Sequence, residues 1–339
     1  MVLLALLLAL FSLSHALEPA SPMVPTKSLP PQMAPSMLTG LRITTILSDI
    51  DGTLLSSGHT LSPATVDVLT RLVRGTPPSP SSSSSSSSSL YRFFPCTGRS
   101  RTSMNNAEPR IAALFGGLEK TPGVYQQGLM VYGSDGKLIY EKLLPTSVVT
   151  ATERFCQQRG VAVVAYCGER VFCRAMCPQV EQLRQWSDPT PEVHASGLDR
   201  LVDIGVRVHK LILLDDEENI VALRPHLAAA LGDSAALTRA VPGMLEVLPP
   251  GASKGEGVQV LLDHLHTSPD NVVAFGDGEN DLEMLSLVRL GIAVGNAKPV
   301  LKGAADALTA SNDEDGVAHV LNMLLEHSAN HQDGNDIIM

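Results

Sequence analysis

The sequence predicts an α/β protein in which a parallel-sheet core carries an inserted α+β module. Short runs rich in β-branched and apolar residues lead directly into polar motifs at residues 49–53, 97–99 and 276–281. Apolar residues at helical spacing separate these runs, and strands that alternate with helices indicate a parallel sheet. Between residues 123 and 247 the alternation becomes irregular, which is typical of an insertion.

Composition excludes several classes of protein. The 339 residues include 25 Lys and Arg against 35 Asp and Glu, a formal net charge of −10. Nucleic acid and anionic membranes both favour basic surfaces, so neither is expected as the main partner. Hydrophobic residues make up 44% of the chain, enough for a core, and five cysteines in a chain of this length do not indicate a disulfide scaffold.

The N-terminal region is predicted to lie outside the fold. Residues 2–11 form one apolar run, too short to span a bilayer, so residues 1–16 are interpreted as a signal-like segment. Residues 17–40 are rich in Pro, Ser, Met and Ala, which is typical of a linker or a transit-like stretch. A signal followed by such a stretch indicates import into a plastid through the secretory route, and secretion is the simpler alternative. No membrane association is expected of the mature form.

The ordered body is predicted to begin near Leu41. Residues 41–122 and 248–326 form the predicted core, and residues 123–247 the inserted module. Within the core, residues 76–89 end in nine consecutive serines and are interpreted as a flexible insertion. Residues 327–339 are interpreted as a polar, frayed tail.

Carboxylates cluster where predicted strands end. Asp49 and Asp51 follow the first strand, and Asp277 and Asp281 flank a glycine-containing turn after a later one. The carboxyl ends of parallel strands meet in one crevice, where four carboxylates would repel one another unless a cation held them. An all-oxygen ligand set suits Mg²⁺.

Each motif alone has a plainer interpretation. Residues 49–53 resemble a Ca²⁺ loop or an exposed turn, and residues 276–281 resemble a helix start that favours acidic residues. Residues 97–99 and Lys254 are ordinary in isolation. Together, in this order and at these strand ends, carboxylates, a lysine and the Thr97 hydroxyl provide what phosphoryl transfer requires.

The four motifs give the chain a specific resemblance. Residues 49–54, 97–99, 253–255 and 276–281 match, in order, the motifs of the haloacid dehalogenase (HAD) superfamily, in its Cof-type branch of sugar-phosphate phosphatases. The resemblance covers residues 41–325 and implies a Rossmann-like core with a large α+β cap that closes over the site. It departs from the branch at residues 126–128, where an Asn-Gly-Ala segment is common.

The resemblance implies roles for individual residues. Asp49 would be the nucleophile that forms an aspartyl-phosphate, and Asp51 would act as general acid and then as general base. Mg²⁺ would be held by Asp49, the backbone carbonyl of Asp51 and Asp277, with Asp281 as a direct or indirect partner.

The phosphoryl group has its own implied binding residues. Thr97 and Lys254 would hold the phosphoryl oxygens together with the amides of Ile50 and Gly98 and with Asn280.

The function implied is Mg²⁺-dependent hydrolysis of a small phosphorylated metabolite, with a sugar phosphate favoured. A phosphotransferase or mutase that uses the same intermediate is one alternative, and a non-catalytic phospho-ligand binding protein is another. Substrate-selecting residues do not transfer from the family, and ordinary cap surface is favoured over a selecting role for four candidates: Gln127, His209, Lys210 and Arg224.

Overall fold

The computed structural model describes residues 29–74, 91–239 and 241–335. The signal-like segment, residues 17–28 and the serine-rich insertion therefore lie outside the described residues. The strands, in chain order, are β1 (Thr45–Ser48), β2 (Arg92–Pro95), β3 (Gly123–Tyr125), β4 (Met130–Tyr132), β5 (Leu138–Glu141), β6 (Ala162–Cys167), β7 (Arg170–Cys173), β8 (Glu192–Val193), β9 (Lys210–Leu214), β10 (Ala236–Thr238), β11 (Met244–Leu248), β12 (Val272–Gly276), β13 (Leu290–Ala293) and β14 (Ala307–Leu308).

The α-helices complete the set of elements. In chain order they are α1 (Pro63–Arg74), α2 (Arg101–Ala107), α3 (Pro109–Leu114), α4 (Thr146–Arg159), α5 (Pro178–Glu181), α6 (Glu217–Leu231), α7 (Lys254–His264), α8 (Leu282–Leu287), α9 (Pro299–Ala304) and α10 (Gly316–Asn335). Within the described ranges, no helix combines the length and the apolar character that crossing a bilayer requires.

The core is a five-stranded parallel sheet with the order β14-β13-β12-β1-β2. Strand β1 lies inside it and is buried along its whole length, as expected of a strand covered on both faces. Ser48, its last residue, pairs with Phe275 on one side and with Pro95 on the other. The chain segments that follow β1, β2 and β12 therefore leave the sheet at the same edge.

The core begins earlier than the sequence predicted. The Met33 amide donates to the carbonyl of Leu308, and the Leu308 amide donates to the carbonyl of Pro31, which adds this segment to the edge of the sheet at β14. Met33 and Leu38 are buried in the main hydrophobic cluster. The expectation that residues 17–40 lie outside the fold is therefore wrong for residues 31–38. The apolar side chains of Met33 and Leu38, which lie in a polar, proline-rich stretch, are buried in the core.

The inserted module begins later than the predicted residue 123. Strands β3, β4 and β5 form a small antiparallel sheet, and Val124, Tyr125 and Val131 belong to the same hydrophobic cluster as the core strands. A parallel bridge between Cys96 and Val124 continues β2 into β3. Residues 123–141 therefore pack with the core, and the separate hydrophobic cluster of the cap begins at Leu144.

The cap is a six-stranded sheet with the order β10-β11-β9-β6-β7-β8 and is largely antiparallel. Helices α4 and α6 cover one face, where Phe155, Ile220, Leu211 and Val247 share one hydrophobic cluster. The opposite face, which carries Lys210, contacts the core through the carbonyl of Gly98. The predicted α+β character of the insertion matches this architecture.

The last helix extends well past the predicted end. Helix α10 continues to Asn335, although residues from His327 onward were predicted to be a frayed tail. The Tyr91 hydroxyl donates to the carbonyl of Leu324 and also hydrogen-bonds with the Ser328 hydroxyl, which ties the helix to the start of β2. Polar composition alone does not end a helix when a tertiary contact holds it.

Helix α7 contacts the small sheet through two glycines at very close range. A Cβ on Gly128 would lie 2.0 Å from the Ser253 carbonyl oxygen, and a Cβ on Gly257 would lie 2.8 Å from the Gly128 Cα. Gly128 also has a φ of +92°. Two glycines therefore set how closely helix α7 approaches the small sheet.

We predict that Gly128→Ala lowers the free energy of unfolding by about 3 kcal/mol or more, because the methyl group has no room. Gly160→Ala is the matched control, since Gly160 also has a positive φ, of +68°, but a Cβ at that position would have no atom within 4 Å. There we expect a loss of about 1–2 kcal/mol from backbone strain alone. Urea unfolding of both variants provides the comparison, and equal losses would contradict the close approach.

Candidate active site

Three neighbouring strands bring the sequence motifs together. Asp49 directly follows β1, and Asp277 directly follows β12. Thr97 follows β2 with one residue between them. The Asp49 amide donates to the carbonyl of Phe275 at 3.0 Å, which continues the β1–β12 ladder into the motif. Helix α7 contributes Lys254 at its first residue, with Ser253 as N-cap. The predicted convergence of four distant segments is therefore present.

A buried lysine lies between two carboxylates. The Nζ of Lys254 is 2.7 Å from an oxygen of Asp49 and 2.8 Å from an oxygen of Asp281. The side chains of Lys254 and Asp281 have no exposed surface, and that of Asp49 is 8% exposed. Each buried charge is thus paired, as burial away from water requires.

Asp281 organises the turn after β12. One of its oxygens accepts from Lys254, and the other accepts from the amides of Asp277 and Gly278, both at 3.0 Å. Both oxygens are therefore engaged with protein donors. The sequence left open whether Asp281 binds the metal directly or acts through other residues. The structure favours the second role, because Asp281 orients Lys254 and the turn at Asp277 and Gly278, which face the site.

Burial shapes the protonation of the cluster. Burial is the main reason that the pKa of Asp49 lies well above its usual value; Lys254 opposes this effect, and Asp281 and Asp277 add to it. Burial also raises the pKa of Asp277, and the Asp281 carboxylate raises it further. Burial alone would lower the pKa of Lys254, but Asp281 and Asp49 outweigh it and hold that pKa above its usual value.

The donor set suits a divalent cation. Carboxylate oxygens of Asp49, Asp277 and Asp281 lie within 4.8 Å of one another. Gly52 leaves room beside them, since a Cβ there would lie 2.7 Å from an oxygen of Asp277. Hard oxygen ligands at this spacing fit Mg²⁺, with Asp49 and Asp277 as the residues that would hold it.

Asp51 does not join the carboxylate cluster. Its two oxygens accept from the Arg99 guanidinium at 2.6 and 2.8 Å, and the Nδ1 of His59 lies 3.6 Å away. Directly after Asp51 the chain turns at Gly52, which has a φ of +74°. Any contribution of Asp51 to a metal site would come from its backbone carbonyl, as the resemblance implied.

Arg99 was missed as a functional residue by the sequence reasoning. Its guanidinium also donates to the Ser103 hydroxyl and to the backbone carbonyl of Trp186 in the cap. Burial lowers the pKa of Arg99, but the Asp51 carboxylate outweighs it, so the pKa stays above its usual value. The signal was present, since Arg99 completes the second motif and a planar fork suits two carboxylate oxygens.

The loop after β2 carries the predicted phosphate-binding groups. The Thr97 hydroxyl accepts from the Arg99 amide, and the Thr97 carbonyl accepts from the Gln127 amide. Gly98 is close to the Gln127 side chain, which would lie 2.6 Å from a Cβ at that position. Asn280 donates to the same side chain at 3.1 Å. Of the predicted residues, Thr97, Gly98 and Asn280 line one cavity.

That cavity, of about 150 Å³, lies between the cap sheet and the core. Its core side includes Asp49, Asp51 and Asp277, in addition to the loop after β2. Ile50 is buried beside this wall, and its carbonyl accepts from the amide of Leu55. The core side of the cavity therefore carries three acidic side chains.

Two of the four substrate-selecting candidates line the cavity. Gln127 and Lys210 do so, although ordinary cap surface was favoured for each. His209 instead accepts from the Gly168 amide and lies 3.3 Å from Glu141, and Arg224 donates to the carbonyl of Leu237, both outside the cavity lining. Cap residues that the sequence did not single out also line it: Tyr166, Trp186, Asp188, Ile212, Met244 and Glu246.

We predict that Lys254→Met lowers the free energy of unfolding in EDTA by about 3–5 kcal/mol, because it leaves two buried carboxylates unpaired. Loss of the lysine also raises the pKa of Asp49 further in the folded state than in the unfolded chain. A carboxyl group whose pKa is higher in the folded state than in the unfolded chain makes stability fall as pH rises, so the deficit grows as the pH rises above the usual range of a carboxyl group.

Lys142→Met is the matched control, since Lys142 pairs with Glu256 but both side chains are a quarter to a third exposed. Urea unfolding is expected to show a loss below about 1 kcal/mol there. A loss of that size for Lys254→Met would contradict the role assigned to the buried lysine.

Comparison with known proteins places the chain in a family. Residues 46–321 match the family model described as haloacid dehalogenase-like hydrolase. A chloroplastic endoribonuclease YBEY of Arabidopsis thaliana is 36% identical over 283 residues, which cover 81% of this chain but only 45% of that relative. An HMP-PP phosphatase of Cronobacter sakazakii is 29% identical over 60% of this chain and 86% of its own length.

A solved structure is also similar. A haloacid dehalogenase-like hydrolase of Bacteroides thetaiotaomicron shares the fold, with a TM-score of 0.69 and 24% identity over 83% of this chain and 99% of its own. The chain therefore belongs to the haloacid dehalogenase-like hydrolases.

Proposed function

We propose that this chain is a Mg²⁺-dependent phosphatase that hydrolyses a small phosphorylated metabolite through an aspartyl-phosphate intermediate. Membership of the hydrolase family and the HMP-PP phosphatase among its relatives support phosphatase activity. The chain spans less than half of the Arabidopsis relative, so that relative's name does not bear on the activity of this chain.

One observation carries the proposal. Asp49 and Asp277, 228 residues apart in sequence, place carboxylates within 4.8 Å of each other beside a buried lysine and at the wall of the cavity between cap and core. Mutual repulsion makes such an arrangement costly unless a cation or a proton lies between the carboxylates. A structural role alone gives no reason to maintain that cost.

The chain's own residues account for both half-reactions. A carboxylate oxygen of Asp49 attacks phosphorus, the ester P–O bond breaks, and the leaving alcohol takes a proton from Asp51. Asp51, now ionised, then takes a proton from water, whose oxygen attacks the phosphoenzyme and releases inorganic phosphate and Asp49. The Arg99 fork contacts both oxygens of Asp51, at 2.6 and 2.8 Å, and so fixes the orientation of this carboxyl group.

Positive charge and hydrogen-bond donors face the phosphoryl group. Lys254 supplies a fixed charge beside the attacking oxygen of Asp49, and the Thr97 hydroxyl and Gly98 amide belong to the adjacent cavity wall. When bound, Mg²⁺ would be held by Asp49 and Asp277 and would neutralise phosphoryl oxygens.

Two other functions were left open by the sequence. A phosphotransferase with the same intermediate would pass the phosphoryl group to a second alcohol, and a binding protein would retain the ligand unchanged. A non-catalytic binder does not need Asp49, Asp51, Lys254 and Asp277 together, so hydrolysis is the function best supported.

We predict that the chain hydrolyses p-nitrophenyl phosphate in the presence of Mg²⁺ and that excess EDTA abolishes turnover. Asp49→Asn is expected to lower kcat about a thousandfold or more, because no nucleophile remains to form the intermediate. Nitrophenol and inorganic phosphate are measured together, since equal amounts indicate hydrolysis and a deficit of phosphate indicates transfer.

Asp67→Asn provides the control, because Asp67 lies on helix α1 in an exposed pair with Arg71. It is expected to retain wild-type kcat. Wild-type turnover in Asp49→Asn, or full activity in EDTA, would contradict the assigned nucleophile or the metal requirement respectively.

For the N-terminal region we infer a targeting role, with plastid import through the secretory route favoured over secretion. The support is the apolar run at residues 2–11 followed by a proline- and serine-rich stretch. A fusion of residues 1–40 to a fluorescent protein is expected to accumulate in the plastids of plant protoplasts. N-terminal sequencing of the mature protein is expected to begin after residue 16. A mature protein that still begins at Met1 would contradict cleavage.

A further inference from the structure

The loop after β1 has to hold Asp51 in one place, and the residue next to Asp51 does not do this by itself. Gly52 follows Asp51 directly and has a positive φ, in the left-handed region. Because glycine adopts many backbone conformations, its own sterics do not fix the direction of the chain at this point. A contact from outside the loop is therefore needed to define where Asp51 lies.

Asn296 supplies such a contact. Its side-chain nitrogen donates to the carbonyl of Gly52 at 2.7 Å, and its side-chain oxygen accepts from the backbone amide of Asn312 at 2.9 Å. The first partner can only accept and the second can only donate, so the two partners determine which way the Asn296 amide group points. This side chain therefore defines the plane of the peptide bond that follows Gly52.

Asn312 and its neighbour continue the contact along the loop. The Asn312 side chain donates to the carbonyl of Leu55 at 2.9 Å, and the Ser57 amide donates to a carboxylate oxygen of Asp313 at 2.7 Å. Three backbone groups of the loop are thus held by side chains from outside it. We refer to Asn296, Asn312 and Asp313 as the loop clamp.

The loop clamp comes from strands that do not neighbour β1. Asn296 follows β13, Asn312 follows β14, and β12 lies between these two strands and β1. The segment that carries Asn296 is itself tied to the site, because the Lys298 amide donates to the carbonyl of Asp277 at 2.9 Å. The loop after β1 contacts the same residue directly, since the Thr53 hydroxyl donates to an Asp277 carboxylate oxygen at 3.2 Å. The loop is thus fixed to Asp277 both directly and through the clamp.

We propose that Asn296 is a positioning residue for the first half-reaction. Through Gly52 it holds Asp51 where its carboxyl proton passes to the leaving oxygen as the ester P–O bond breaks. Asn312 acts one step further away, on Leu55 and on Asn296 itself. This inference rests on the proposed phosphatase function, and it assigns to that site two asparagines that do not line the cavity.

Two aryl esters distinguish positioning from a general loss of active protein. p-Nitrophenyl phosphate releases a stable anion and needs little proton transfer, whereas phenyl phosphate, of similar shape, needs a proton on its leaving oxygen. We measure kcat/KM, which reports the first half-reaction. In Asn296→Ala we expect it to fall at least about tenfold more for phenyl phosphate than for p-nitrophenyl phosphate. Equal falls for the two esters overturn the proposal, because loss of active protein affects both alike.

Matched variants locate the effect. Asn219→Ala removes the same side chain from the cap helix α6, where it makes an exposed hydrogen bond to Asp215, and is expected to leave the ratio of the two kcat/KM values unchanged. Asn312→Ala keeps the backbone amide that binds Asn296 and loses only the bond to Leu55, so we expect a smaller change in the ratio. A larger change than in Asn296→Ala contradicts the order of the two residues.

A double variant tests whether Asn296 acts through Asp51. Asp51→Asn alone is expected to lower kcat/KM much more for phenyl phosphate than for p-nitrophenyl phosphate, because the acid is absent. When Asn296→Ala is added to Asp51→Asn, we expect no further change in the ratio, since both substitutions remove the same proton transfer. A further fall of about tenfold in the ratio would mean that Asn296 acts by another route, and it would overturn the assignment.

Hydrogen exchange separates this proposal from the phosphatase function. Mass spectrometry of the backbone amides of residues 52–57 needs no turnover, and we expect these amides to exchange at least about tenfold faster in Asn296→Ala than in the wild type. Unchanged exchange overturns the loop clamp whatever the activity. Faster exchange in a protein whose wild type hydrolyses neither ester leaves the clamp standing and overturns the phosphatase function, together with the role given to Asp51.

Discussion

The arrangement of the site depends on the buried ion pairs of Lys254 with Asp49 and Asp281. A carboxylate cluster that attracts a divalent cation is unstable by itself, because burial and mutual repulsion both favour protonation. The lysine supplies a permanent charge that lets part of the cluster remain ionised before any cation binds. It acts through geometry as much as through charge, since Asp281 also holds the amides of the turn that presents Asp277.

The fold brings these groups together through strand order. With β12, β1 and β2 adjacent and parallel, three motifs from distant parts of the chain meet at one sheet edge, and helix α7 adds Lys254 from the side. The small sheet formed by β3, β4 and β5 then fixes the loop after β2, because the Thr97 amide donates to the carbonyl of Val124. The rigid strands thus position the short loops that carry the reactive groups, as is common in α/β enzymes.

Much of this organisation could be predicted from the sequence, and the limits have physical reasons. Strands that run into Asp49, Thr97 and Asp277 are local patterns, so their positions and their convergence followed from the chain itself. Contacts between residues far apart in sequence could not be predicted in this way, as the pairing of Asp51 with Arg99, 48 residues later, shows. The packing of residues 31–38 and 123–141 on the core depends on contacts with distant parts of the chain, and the composition of these segments does not reveal those contacts. Cap residues such as Glu246 carry no motif, so only the paired strands showed that they face the cavity.

The cap and the core have separate main hydrophobic clusters, and several contacts between them near the site are hydrogen bonds. Arg99 reaches the carbonyl of Trp186, Lys210 reaches the carbonyl of Gly98, and Glu169 at the turn before β7 accepts from the amide of Thr102. Water can replace each of these bonds at little net cost. If the cap lifts to admit a substrate, it would therefore exchange protein partners for solvent without breaking either hydrophobic core, and the same bonds would define its closed position.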